Sequence, residues 1–403
     1  MPIHPLNVEE LCAIVARSAQ AGKPLSPVGG GVQQHIGYPP SADAEVVSLA
    51  GLNRLIEYSP DDMVVIAEAG MMLNDLQSAL AVHNQWLPLE VAAPDRQTIG
   101  GIVATRAMSA ARAGFGSVRD WLIGLAVVGG DGQLVRGGGK VVKNVSGYDL
   151  PKLYCGSWGT LGIITEAAFK LAPLPRHTKT LLALVSGDRN SEEALDSLLG
   201  TVHPTSTHLL NGAAARDILG LDAEDAQYLA VRFAGAEIDV EFLAGKAAAA
   251  LAPYAASVLD LPSGIAMKLN AALRDFSLND SPLSVRYNIL SSQVGAFSRM
   301  IEWTANKAGM SAAVCTECRT GVVYAQIRPH RDGAGWAEYY PSFRDKSDRV
   351  GGSMVIERMP DEWRDMGTPV WSPLLPEFEL MRAIKQALDP KGIFNPGRFV
   401  GGL

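Results

Sequence analysis

Between Gly100 and Gly162 the chain places fifteen of its 41 glycines, about a quarter of that stretch against a usual share of about 7%. Glycine at that density weakens helices and strands, because it loses the most conformational freedom on ordering. Such a stretch is either a succession of turns or a backbone surface moulded around a large ligand. An earlier segment bears on the choice. "PVGGGVQQ", Pro27 to Gln34, sets three glycines in a row after the short apolar strand "PLSPV". The N–H groups of such a run can crowd around an anion, since no side chain stands in the way. No Lys-Ser/Thr pair follows and the G-x-G-x-x-G spacing is absent, so neither a Walker loop nor a dinucleotide fold is predicted.

The length of 403 residues predicts two or three domains. With 47% hydrophobic and 19% charged residues there is ample material for a core. A net charge of −7 and a pI near 5.6 argue against nucleic acid as a partner. No apolar run approaches the roughly 18 residues of a membrane span; "IGGIVATRAMSAARAG" comes nearest and is interrupted by Arg106 and Arg112. The first 22 residues lack a charged segment ahead of an apolar one, so no signal peptide is predicted. Four cysteines do not make a disulfide scaffold. The expected setting is the cytoplasm.

Asn7 followed by Glu10 predicts a helix start, with Leu11, Ile14 and Val15 on one face and an end near Gly22. "AEVVSL" and "DMVVIAEAG" read as strands flanking a helical turn at "GLNRLIEY", and "LNDLQSALAVHNQ" as a second helix. "WLIGLAVVGGDGQLVR" reads as a hairpin turning at Asp131-Gly132. After "KLAPLP" (Lys170 to Pro175), which resembles a linker, strands such as "TKTLLALV", "QYLAVRFAG", "LSVRYNIL", "GVVYAQIRP" and "SMVIERM" alternate with helices such as "SEEALDSLLG", "VEFLAGKAAAALAPY", "FSRMIEWTANKAG" and "EFELMRAIKQALD". These strands lack the all-apolar look of a buried parallel sheet, which predicts an antiparallel α+β domain.

Three glycine-bearing segments stand together: "PVGGGVQQ", "APDRQTIGGIVATRAMSAARAGFGSVRD" and "GGKVVKNVSGYDLPKLYCGSWGTLGIITEAAFKL". In this order they resemble the FAD-binding domain of the vanillyl-alcohol oxidase/p-cresol methylhydroxylase flavoproteins. Within that family, "FGSVRDWLIG", "KVVKNVSGYDLPKL" and "GTLGIITEA" are similar to the FAD-binding subunit type of the glycolate oxidases, relatives of the D-lactate and D-2-hydroxyacid dehydrogenases. The likeness covers the first 175 residues and the closing "IFNPGR". It implies an α+β chain with a two-part FAD-binding domain at 1–175, a smaller antiparallel α+β domain for substrate or partner at 176–387, and a C-terminal segment at 388–403 returning to the FAD domain.

The resemblance also assigns residues. Pro27, Gly29, Gly30, Gly31, Val32, Gln33 and Gln34 would wrap the diphosphate as a neutral nest of N–H groups. Pro94, Thr98, Ile99, Gly100 and Gly101, continuing through Ala104, Thr105 and Ser109 to Gly116, would lie along the cofactor. Gly159, Gly162 and Ile163 would reach the flavin or its adenosine end. Covalent members present a histidine in the first loop; here Val32, Gln33 and Gln34 stand there and His35 comes late, which implies noncovalent FAD. Arg106 to Ser109 replace the Asn-Ala-Gly-Gly of many dehydrogenases, and Trp158 stands where they often carry Glu.

Catalytic relatives also carry a His-x-Gly-Asp-Gly-Asn-x-His stretch for a metal and for deprotonating the substrate. This chain has only "RPHRDGAGW". Oxidising a 2-hydroxy acid needs a cation for its carboxylate, a base for its hydroxyl and the flavin as hydride acceptor. Arg286, Arg319, Arg328 and Arg358, on or beside predicted strands, are candidates for the cation and His330 for the base. Cys315 and Cys318 form a lone C-x-x-C with no further ligands at suitable spacing, and residues three apart in a strand would point to opposite faces, so a structural role is expected and no metal is predicted.

The resulting expectation is an FAD-binding subunit of a glycolate oxidase-type 2-hydroxyacid dehydrogenase. Its partners would be a catalytic flavoprotein subunit and an iron–sulfur subunit, its substrate a small 2-hydroxy acid, and its location the cytoplasm or, through the complex, the inner membrane face. Two alternatives stay open at this point: a self-sufficient FAD-dependent 2-hydroxyacid dehydrogenase, and a redox-silent subunit that keeps FAD for assembly.

Overall fold

The computed structural model describes residues 2–140, 147–186, 190–221, 226–329, 336–359, 363, 367–374 and 376–403. The chain divides into two compact units: Met1–Ser109 with Gly116–Leu174 and Leu374–Leu403, and Ala110–Phe115 with Pro175–Pro373. The return to the first unit thus begins at Leu374, ahead of the 388 read from the sequence. The two units are nearly equal in length, so the second is not the smaller one.

The first unit opens with the helix Val8–Ala21. The Asn7 side chain accepts from the Glu10 amide at 2.8 Å, and the Glu10 carboxylate accepts from the Leu6 amide at 2.8 Å. That reciprocal cap satisfies amides with no partner inside the helix. Gly22 ends the helix at φ 65°, and Leu11, Ile14 and Val15 are buried.

Strands Leu25–Val28 and Glu45–Ser48 run parallel. Leu25 is bridged on its other side by Phe394 from the C-terminal segment, through Leu25 N to Ile393 O at 2.7 Å and Asn395 N to Leu25 O at 2.9 Å. A five-stranded antiparallel sheet follows in the spatial order Leu55–Ser59, Val64–Glu68, Ile163–Lys170, Leu122–Val128, Leu134–Gly138. Its last two strands form the expected hairpin, with Gly132 at φ 79° in the turn. Leu25, Val65, Leu76, Ile102, Val127, Phe169 and Phe394 belong to one buried cluster. Full burial of each such side chain contributes about 1.5–3 kcal/mol.

Two local readings change. "GLNRLIEY" contributes the edge strand Leu55–Ser59 rather than a helical turn. A tight turn at Ser59–Met63, closed by Ser59 Oγ to Asp62 Oδ2 at 2.7 Å, returns it onto Val64–Glu68, and Arg54 grips Glu68 through its amide and guanidinium. Cross-strand pairing outweighs the local helical spacing. The "KLAPLP" stretch is not a free linker either: Ala172–Pro173 pairs with Gln85–Trp86, and the first unit runs on to Leu174.

The second unit is built on a nine-stranded sheet, antiparallel at each pairing. Its order is Ser257–Asp260, His177–Ser186, Ala226–Gly235, Ser206–Leu210, Met310–Glu317, Val322–Pro329, Leu283–Asn288, Ser353–Arg358, Trp371–Ser372. Cys315 and Thr316 are neighbours on one strand and so face opposite sides. Cys315 joins a buried cluster with Ala214 and Leu269, from helices Gly212–Leu219 and Ser263–Asp275. Thr316 meets Ser298 of helix Val294–Lys307 at 2.7 Å. Helices therefore cover parts of both faces. Among the described residues, no helix is long and apolar enough to cross a membrane.

Candidate functional site

The three glycine segments of the first unit converge on one cleft, and the absence of side chains is what lets them meet. A Cβ on Gly30 would lie 1.5 Å from the Arg96 carbonyl oxygen, and one on Gly29 would lie 2.1 Å from Thr98 Oγ1. The first loop is therefore pressed backbone to backbone against the second. Thr98 caps the short helix Ile99–Thr105, its Oγ1 accepting from the Gly101 amide at 3.2 Å. A Cβ on Gly100 would stand 2.7 Å from the Ala69 Cβ. The third segment is stitched to the second by Gly156 N to Val103 O at 3.0 Å and Trp158 N to Ala104 O at 2.8 Å.

The cleft is lined by Pro27, Gly29 to Gln34, Leu49, Gln97, Gly100, Gly101, Ala104, Thr105, Trp158, Gly159, Gly162 to Ile164, Asn395 and Arg398. Its empty volume, including the part open to solvent, is about 690 Å³, within the ~300–1,000 Å³ usual for small-ligand sites. Pro94, Thr98, Ile99, Ser109 and Gly116 do not line it. Thr98 and Ile99 are buried beneath it; Pro94 O accepts from Asn74 N at 3.2 Å and Ser109 Oγ from Glu90 N at 3.1 Å. Gly116, at φ 86°, lies beside Asp120.

Leu49, Gln97, Trp158, Ile164, Asn395 and Arg398 were not read from the sequence as cofactor residues. The last two come from the C-terminal segment. Asn395 Nδ2 donates to the Trp158 carbonyl at 2.9 Å. Arg398 donates to the carbonyls of Gln34 at 2.9 Å, Ile36 at 3.1 Å and Tyr38 at 3.2 Å. Lys385 binds the carbonyls of Thr160 and Phe394 and the Asp389 carboxylate at 2.7, 2.9 and 2.6 Å. Asp389 in turn accepts the amides of Ile393 and Phe394. Burial pushes the Lys385 amine below its ordinary value, while Asp389 holds it up.

Whether the cleft suits FAD can be judged from its own polar atoms. Gln97 Nε2 and Asn395 Oδ1 are buried without a hydrogen-bond partner, in residues 4% and 3% exposed. Leaving such atoms unmatched costs about 1–3 kcal/mol each, which a ligand with both donors and acceptors would relieve. Glycine backbone, Arg398 and apolar walls supply the rest. The residues fit a diphosphate with a flat ring system.

The candidate catalytic residues belong to the second unit and do not converge. Arg319 lies in the turn joining strands Met310–Glu317 and Val322–Pro329 and donates to the Pro204 carbonyl. Arg328 pairs with Asp217 at 2.7 Å near the far end of that hairpin, so roughly 20 Å of strand separates the two. Arg286, between them in register, is half-buried and pairs with the buried Glu357 at 2.8 Å. Burial disfavours the Arg286 guanidinium, but Glu357 and Tyr324 together outweigh it and leave Arg286 above its ordinary value; burial pushes the Glu357 carboxyl up while Arg286 holds it down. Arg358 pairs with Asp280. His330 lies outside the described residues. Cys315 and Cys318 are buried, and desolvation raises both thiols. Among the described residues, no group of three or more His, Cys, Asp or Glu side chains is placed to hold a metal.

A glycine-backed cleft on the paired sheets of the first unit fits an FAD-linked oxidoreductase of the vanillyl-alcohol oxidase/p-cresol methylhydroxylase fold. Residues 2–138 match the FAD binding domain family and residues 375–399 the C-terminal domain of FAD linked oxidases. It is 26% identical over 417 residues to the glycolate oxidase subunit GlcD of Bacillus subtilis, covering 98% of this chain and 88% of the relative. It is 38% identical over 133 residues to the glycolate oxidase subunit GlcE of Escherichia coli, covering 33% of this chain and 38% of that one. The solved structure of p-cresol methylhydroxylase with substrate bound superposes with a TM-score of 0.72 at 14% identity, covering 98% of this chain and 88% of the other.

Proposed function

We propose that this chain is the FAD-binding subunit of a glycolate oxidase-type 2-hydroxyacid dehydrogenase complex, holding FAD noncovalently and taking up or relaying electrons toward an iron–sulfur partner. A catalytic flavoprotein subunit completes the complex, a small 2-hydroxy acid is its substrate, and association with the inner membrane face comes through the partners. One observation carries this reading: the first unit presents a fully backed cofactor cleft, whereas the candidate arginines of the second unit are held in separate local interactions along its strands. The similarity to two glycolate oxidase subunits supports the choice of complex.

FAD bound in the cleft supplies an acceptor for a hydride that can also exchange single electrons. The chain's own residues bind and orient it. Gly29 to Gln34 offer amides, and Gln97 and Asn395 offer buried side-chain atoms without another partner. No His, Cys or Tyr lines the cleft among the described residues, which supports noncovalent attachment.

Without a positioned base, substrate oxidation forgoes a contribution of about 10²–10⁴-fold. Anaerobic titration with glycolate, D-lactate and L-lactate, following the flavin spectrum, tests the assignment. The isolated chain should bleach slowly or not at all, and co-expression of partner subunits should restore turnover. His330→Ala should then change complex activity little. Turnover by the isolated chain at ~1–10³ s⁻¹, abolished by His330→Ala, would establish a self-sufficient dehydrogenase instead.

A further inference from the structure

We propose that Arg398 is the positioning residue of the FAD diphosphate site, turning the neutral glycine loop into an anion site by acting from behind it. This rests on the cleft being the FAD site. Arg398 is only 3% exposed and is the one charged side chain among the described residues lining the cleft. Its two terminal nitrogens take the carbonyl oxygens of Gln34, Ile36 and Tyr38. Three electronegative peptide ends are thereby drawn to one guanidinium.

Two effects follow. Each captured carbonyl fixes the orientation of its peptide plane, because a carbonyl and the following amide point in opposite directions. The loop is then ordered before ligand arrives, and preorganised donors are not reoriented at the moment of binding. The guanidinium also brings a buried positive charge to a wall that otherwise offers only dipoles. A diphosphate in that surrounding interacts with it far more strongly than in water. Arginine rather than lysine suits the task, since one planar fork can serve several fixed acceptors at once.

The experiment uses the full chain stripped of flavin, as wild type, Arg398→Lys and Arg398→Ala. Each is titrated with FAD by fluorescence, with ADP and adenosine as competitors, the first carrying the diphosphate and the second lacking it. Arg398→Ala should bind FAD about 10–100-fold more weakly, the scale of a lost charge-assisted interaction. It should also lose the preference for ADP over adenosine. Arg398→Lys keeps the charge and loses the fork, so FAD binding should fall less while the ADP preference survives. If Arg398→Ala does not fold, the Lys variant decides alone.

Unchanged FAD affinity in Arg398→Ala overturns the proposal. So does weaker binding with the ADP preference intact, which would mark a purely structural clasp, and so does loss of that preference in Arg398→Lys. Wild-type protein that takes up no FAD overturns the cofactor reading itself. Binding by wild type together with any of the other adverse results overturns the role of Arg398 alone.

Discussion

Asn395 donates its side-chain amide to the backbone carbonyl of Trp158 at 2.9 Å, across 237 positions of sequence. Both residues sit at positive φ, 41° and 56°, a conformation that costs a residue with a side chain roughly 1–2 kcal/mol. Their surroundings offset that cost: Trp158 N reaches Ala104 O, and the Trp158 ring stacks on Phe399 at 6.2 Å. The third glycine loop and the C-terminal segment therefore hold each other in shape.

Replacing Asn395 with Ala should uncouple them. Loss of the bond is expected to destabilise the protein by about 1–2 kcal/mol, with the melting temperature falling roughly 2–4 °C for each. Trp158 lines the cleft, so FAD titration should quench its fluorescence. Trp158→Phe should remove a large share of the quenching seen in wild type, and equal quenching in both would place the cofactor elsewhere.

The glycine contacts make a sharper forecast. At Gly30 any side chain meets the Arg96 carbonyl at 1.5 Å, and at Gly101 a Cβ reaches Thr98 Oγ1 at 3.0 Å. Gly30→Val and Gly101→Val should keep near-native circular dichroism and purify nearly colourless. Full flavin occupancy in both would show that these loops do not form the site.

Attachment of the flavin can be read directly. Precipitation of the holoprotein with acid should leave a white pellet and a yellow supernatant. A yellow pellet that yields a flavin-bearing peptide would show a covalent link.

His208 sets an acid limit on the second unit. It is 5% exposed, and its Nδ1 is buried without a partner. Burial first, and then the Arg232 charge, push its pKa down to about 3 from 6.5. Between those values the unfolded chain takes up a proton that the folded chain refuses, so stability rises with pH across this window. Lowering the pH from 6.5 toward 3 should remove on the order of 1 kcal/mol per unit. Denaturant unfolding at pH 7 and pH 5 should show a steeper loss for wild type than for His208→Phe. Equal losses would exclude His208 as the cause.

The sequence was most informative where local chemistry decides structure. The Asn7–Glu10 cap and the turn at Asp131-Gly132 are short-range events, and the glycine loops stand out because the close approach of their backbones requires the absence of side chains. Strands Ser206–Leu210 and Met310–Glu317 were missed: "STHLL" and "MSAAVCTE" carry polar or small residues where an interior strand usually shows branched ones, and only their neighbours in the sheet make them strands. Leu55–Ser59 was misread for the same reason. At the site, Gly30 and Gly101 announced themselves, whereas Arg398 did not. One arginine in "NPGR" looks like any other until the fold brings it to Gln34; the Gly and Pro punctuation and the family likeness of "IFNPGR" hinted at order but gave the arginine no role.

Closing the first loop with a guanidinium 364 positions later also sets a timetable. At ~5–20 residues per second, translating the stretch between Gln34 and Arg398 takes roughly 20–70 s. Throughout that interval the nascent glycine loop exists without its fastener, and flavin offered to it meets an unfinished receptacle. If Arg398 orders the loop as proposed, cofactor insertion is expected only once the C-terminal segment has been made.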